Sequence, residues 1–139
     1  MASLIYNSFH EDLARGAIDL DTDTFRMMLV TSSYTPNKDT HDRRDDVTNE
    51  VAASGGYTAG GVTVTCTVAR DNTNDRTTLT FAAGSWTSST ITAAAAVVYK
   101  SRGGASSADE LVFYNDFGGN VTTSNTTLSV GSSVITLQN

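Results

Sequence analysis

Residues 62–68 read Val-Thr-Val-Thr-Cys-Thr-Val. In an extended chain this order places Val62, Val64, Cys66 and Val68 on one side and Thr63, Thr65 and Thr67 on the other. A period of two cannot give an amphipathic helix its apolar stripe. It predicts a strand with one buried and one polar face, the pattern of an antiparallel sheet. Cys66 then lies inward among valines and is expected to behave as a small core hydrophobe rather than a reactive thiolate. It is the single cysteine of the chain, so no internal disulfide can form.

The neighbouring sequence repeats the theme. Ala69–Asp75 is turn chemistry, and Arg76–Phe81 resumes with Leu79 and Phe81 inward, which predicts a hairpin. Phe25–Thr31 reads as a strand buried on at least one face, and Pro36 and Asn37 follow its end. Trp86 opens another strand region. Ile91–Lys100 holds four alanines, which favour helix, but the flanking Thr residues and Val97-Val98-Tyr99 favour strand. It is read as strand. Leu111–Phe117, Thr126–Val130 and Val134–Leu137 complete seven or eight short strands. The fold class predicted is mainly β: an antiparallel β-sandwich or jelly-roll-like domain.

One segment departs from this pattern. Ile5, Phe9 and Leu13 recur every four residues, Ser8 and Glu11 have capping-box spacing, and Arg15-Gly16 supplies a stop. A short N-terminal helix within residues 1–20 is expected, too short to stand without a docking surface. The whole chain, 1–139, reads as one domain, because 139 residues suffice for one core and no linker divides them.

Composition narrows the function classes. Nine basic against 15 acidic residues give a net charge of −6, which argues against nucleic-acid binding. No apolar run reaches about 18 residues, so no membrane-spanning helix is expected. No secretory signal is read at the N-terminus. Ser and Thr make up about a quarter of the chain.

Candidate chemistry is sparse. Asp19, Asp21 and Asp23 alternate like the first ligands of a calcium loop, but Thr24 and Val30 stand where an EF-hand needs Gly and Glu. A turn is the better reading, and no metal or cofactor is expected. His10 and His41 are the only histidines, and no G-x-S-x-G elbow marks a nucleophile. Ser54–Gly61 is glycine-rich, but Gly61 and Val62 stand where a phosphate-binding loop needs Lys and Ser or Thr. The stretch Pro36–Asn49, with Lys38, Arg43 and Arg44 among Asp39, Asp42, Asp45 and Asp46, is the longest loop and is expected to be mobile or partner-facing. From Phe117 to Asn139 there is no charged side chain. Such a segment suits strands packed in a sheet or against another chain, and as an unpaired edge it would invite aggregation.

Asn7–Asp23, Leu29–Thr40, His41–Val51 and Gly56–Gly61 resemble a family of small structural proteins of tailed bacteriophages and prophages. Asn74-Asp75-Arg76, Trp86–Ala93, Val97–Lys100 and Asp116-Phe117-Gly118 continue the likeness, and the C-terminal twenty or so residues depart most. The resemblance implies a virion component without enzymatic activity, made in the bacterial host cytoplasm. The first expectation is a capsid decoration or cement protein that bridges subunits of the major capsid protein on the head. The other is a tail or tail-tip component, including a receptor-binding module. Partner contacts are expected from Ile5, Phe9 and Leu13 on the helix and from Lys38, Arg43, Arg44, Asp45 and Asp46 in the loop. Self-association as a dimer or trimer is expected from the short helix, the uncharged C-terminus and the mixed-charge loop.

Overall fold

The structure, a computed structural model, describes residues 2–139. In chain order its elements are β1 (Leu4–Ile5), α1 (Asn7–Ala14), β2 (Phe25–Val30), β3 (Val62–Val64), β4 (Cys66–Asp71), β5 (Arg76–Phe81), β6 (Gly84–Ser89), β7 (Thr92–Lys100), β8 (Leu111–Thr122), β9 (Thr126–Val130) and β10 (Ser133–Gln138). Single 3-10 turns occupy Arg44–Asp46 and Ser106–Ala108. The fold is mainly β, sandwich-like, with one short helix near the N-terminus, as the patterning predicts.

Three antiparallel sheets build it: five strands in the order β1-β8-β7-β2-β3, three in the order β10-β5-β4, and the pair β6-β9. β2 and β7 lie inside the large sheet and are covered on both faces. Phe25, Met27 and Leu29 join the core on one face, and Met28 and Val30 join a second cluster on the other. β7 divides likewise, with Ala96 and Val98 on the first face and Ala95, Val97 and Tyr99 on the second. The alanines of β7 lie beside bulkier residues of β2, Ala96 opposite Leu29 and Ala95 opposite Val30, so small side chains there leave room for that bulk and tertiary packing overrides their helix preference.

Aromatic rings join the sheets. Phe81 of β5 meets Phe25 of β2 edge-on at 5.4 Å and Phe113 of β8 at 5.4 Å. Such pairs stabilise by about 1 kcal/mol beyond the area they bury. The second cluster is covered by the connection between β2 and β3, through Tyr34 and Val47. Gly61 closes that connection at φ +80°, packed so tightly on β2 that a Cβ would overlap the Met27 carbonyl.

Several sequence expectations are corrected. Residues 62–68 do not form one strand. The chain changes sheets at Thr65, so β3 pairs with β2 while β4 pairs with β5. Val64 is buried, Cys66 is half-buried and Val68 is 40% exposed, because β4 is the outer strand of its sheet while Leu79 across from Val68 is buried. The helix lacks its capping box: the Ser8 hydroxyl is buried without a partner, and Glu11 pairs with Arg15 at 2.9 Å. The sheet fixes the start of the helix instead, since Tyr6 N–H donates to the Val112 carbonyl just ahead of Asn7. Ile5 therefore belongs to β1, not to the helix. The expected stop holds, with Gly16 at φ +76° after Arg15.

Candidate functional site

The helix and the charged loop, expected to meet a partner, meet each other. Asn7 N–H donates to the Lys38 carbonyl at 3.0 Å, and its amide side chain donates to Asp39 Oδ1 at 2.7 Å. Tyr6 and Tyr34 hydroxyls lie 2.9 Å apart, and the Tyr34 hydroxyl lies 2.9 Å from Nδ1 of His41. Arg43 donates to Asp12 Oδ2 on the helix at 3.2 Å. Burial pushes the Asp12 carboxyl above its usual range, and Arg43 offsets only part of that.

Behind this contact the loop is stitched to the start of β8. Arg44 N–H donates to the Asp109 carbonyl, and Leu111 N–H donates to the Asp42 carbonyl. Arg44 Nε reaches Asp109 Oδ2 at 2.8 Å, where the carboxylate is 1% exposed, and the guanidinium lies over Tyr99. Asp46 closes the turn by accepting from the Asp42 and Arg43 amides at 2.9 and 3.2 Å. Burial works against its charge, but those amides and nearby His41 outweigh it and hold the carboxyl below the usual range.

The expectation of partner-facing charges is corrected at Arg43, Arg44 and Asp46, while residues 37–40, Asp42, Asp45, Thr48 and Asn49 stay exposed. Arg43, Arg44 and Asp46 point their charges into the chain's own fold. Phe9 is fully buried in the core, so it cannot be a direct intermolecular contact. Leu13 and Ile5 are half-buried against the same core. Lys38 and Asp45 remain on the surface, with Asp39 and Thr40 beside Lys38. The reason is chemical. Mixed-charge loops read as solvated when their partners, here Asp12 and Asp109, are distant in sequence.

The aspartates after the helix make a turn, as read. Asp19 N–H donates to Asp23 Oδ2 at 2.7 Å, Asp21 N–H donates to Asp19 Oδ1 at 3.0 Å, and Asp23 also pairs with Lys100 at 2.9 Å. Among the described residues no group of three or more His, Cys, Asp or Glu side chains is placed to hold a metal ion. Burial, and then the charge of Asp21, pushes the Cys66 thiol up to about 11.

A surface that sequence reasoning missed lies between the edges of two sheets. Leu4 and Ile5 of β1, Phe113 of β8, and Val134 and Ile135 of β10 line a mainly apolar groove of about 380 Å³. Its walls come from opposite ends of the chain. The signal that pointed to it was the uncharged C-terminus, which supplies the exposed β10 edge. Val134 there is 57% exposed and Leu137 38%.

The fold and these surfaces define a β-sandwich-like domain whose charged loop is used for its own cohesion and whose exposed apolar residues gather on strand edges. No family model, curated protein or solved structure matches the chain. No helix among the described residues is long and apolar enough to cross a membrane.

Proposed function

We propose that this chain is a bacteriophage virion structural protein, and that it serves as a capsid decoration or cement protein bound to the major capsid protein. The observation that carries this reading is the module formed by α1 and the loop. The segments that resemble phage structural proteins, Asn7–Asp23 and Leu29–Val51, contain the residues that tie helix, loop and β8 together. Their charged side chains serve rigidity, which suits a building block rather than an enzyme. The side chains of Lys38 and Asp45 point outward, with Asp39 and Asp42 also exposed beside them, and are loop charges open to a capsid surface. Many copies, each holding weakly, stabilise a shell through multivalency.

The test is co-sedimentation with emptied phage heads, with free capsid subunits and with host cells. The decoration reading expects binding to assembled heads in preference to free subunits, and raised thermal stability of the heads. Charge reversal at Lys38 should change the salt dependence of that binding without changing the fold. Binding to host cells with no binding to heads replaces it by the tail or tail-tip reading. The β4–β5 hairpin favours that second reading, because its tip, Asn72–Asp75, is exposed beyond the core.

A further inference from the structure

We propose that the chain forms a two-fold dimer by pairing β10 with β10 of a second copy. This develops the self-association expected from the sequence and stands apart from the capsid reading.

β10 is an outer strand of the three-stranded sheet, paired on one side with β5 over six residues without a bulge. Natural edges are usually blunted by shortness, charge, Pro or a bulge. The edges of the five-stranded sheet follow that rule, with two residues in β1 and three in β3. β4, the opposite edge, ends in Arg70 and Asp71. β10, Ser-Val-Ile-Thr-Leu-Gln, has none of these devices.

The occupant is argued from charge. On the two-fold axis of an isologous contact a side chain lies against its own copy, so a charge there faces a like charge, whereas off the axis each residue meets a different one. Two copies of a chain of net charge −6 repel each other, and a strand free of charge at the axis adds nothing to that repulsion. Nothing after Asp116 is charged, and β10 lies wholly within that stretch. A different partner would not require such neutrality and could use opposite charge instead.

Register follows from the faces. Ile135 and Leu137 share the inward face, with Ile135 opposite buried Leu79, while Val134 and Thr136 share the outward face. A two-fold axis through Thr136, perpendicular to the sheet, keeps both faces matched. It sets Thr136 against its own copy, Ile135 against the second copy's Leu137, and Val134 against its Gln138. The second copy's Leu137 then falls on the groove lined by Leu4, Ile5, Phe113 and Ile135. The exposed leucine and the apolar groove satisfy each other twice, once per copy.

The test is sedimentation velocity over a concentration series, on the wild type and on two exposed-strand variants. Thr136→Lys places like charges across the axis. Thr67→Lys makes the same change on the outward face of β4. The expected result is a wild-type dimer of 14.7 kDa chains, weakened at least about tenfold by Thr136→Lys, unaffected by Thr67→Lys, with Thr136→Lys melting like the wild type at dilutions where both are monomeric. As a second readout, Thr136→Cys should oxidise to a covalent dimer while the wild type, carrying Cys66 alone, does not. Cross-strand Cα separations of about 4.5–5.5 Å fall within disulfide reach. A monomeric wild type, a trimer, or a Thr136→Lys protein that dimerises normally overturns the proposal. A monomer that binds heads overturns this dimer alone. A dimer that ignores heads supports it and overturns the capsid reading.

Discussion

Arg44 and Asp109 form a pair 2.8 Å apart that bolts the charged loop to the start of β8, with the carboxylate almost wholly buried. Asp109 also accepts the Arg102 amide at 2.9 Å, and the Arg44 guanidinium sits 5.1 Å from the Tyr99 ring centre. Removing the cation strands a buried charge. Arg44→Ala is expected to cost about 3 kcal/mol in denaturant melts. Arg44→Lys should recover only part, since an ammonium lacks the planar stack on Tyr99. A loss below about 0.5 kcal/mol would mean that the loop is held by its backbone contacts alone.

Asp46 gives the turn of the loop a pH dependence. Its carboxyl is held below the ordinary value of about 3.9. A depressed folded-state pKa contributes stability that is complete above the unfolded value and is lost as pH falls through the folded one. Stability should therefore change little from pH 7 to 5 and fall below about pH 4. Asp46→Asn should be less stable at pH 7 and show a shallower acid limb. Asp12 has the opposite sign: burial raises its pKa, so its penalty is present at neutral pH and relieved on acidification. An acid limb equally steep in Asp46→Asn would show that the turn does not depend on this carboxylate.

Phe9 has no exposed surface, whereas Leu13, one turn further on, is only half-buried. Phe9→Ala should cost about 4 kcal/mol, and Leu13→Ala roughly 1–2 kcal/mol. Both losses should appear in the melt of the isolated protein. If Phe9→Ala instead melted like the wild type, the helix would have to dock elsewhere.

Cys66 should resist alkylation although part of it meets solvent. With its thiol pushed up to about 11, only about one molecule in a thousand is a thiolate at pH 8. In urea the thiol reverts to about 8.5. The native protein should react at least about a hundredfold more slowly than the unfolded one. Equal rates in both states would show that β4 does not shield the sulfur.

Local patterning carried most of the strands. β7 could be read through its alanines because Thr92 and Val97-Val98-Tyr99 flank them, and Gly16 ended the helix as its backbone freedom allows. Thr65 could not be read as a corner, since the alternation of Val62–Val68 continues unbroken through the switch of sheets. Arg43 and Arg44 looked solvated because their partners, Asp12 and Asp109, are 31 and 65 residues away. Ser8 and Glu11 had the spacing of a cap, but Tyr6 N–H was already taken by β8 and set where the helix begins. The groove joins Leu4 to Val134, a contact that no local pattern encodes.

The measurement that tests the virion reading most directly is the copy number of this chain in tailed-phage particles purified from an induced culture of cells that carry its coding sequence. Quantitative mass spectrometry against the major capsid protein supplies it. A decoration protein is expected at a ratio of the same order as the capsid protein, and it should be lost from particles stripped of their outer layer. Absence from the particle, or only a few copies that remain with isolated tails, would contradict the decoration reading.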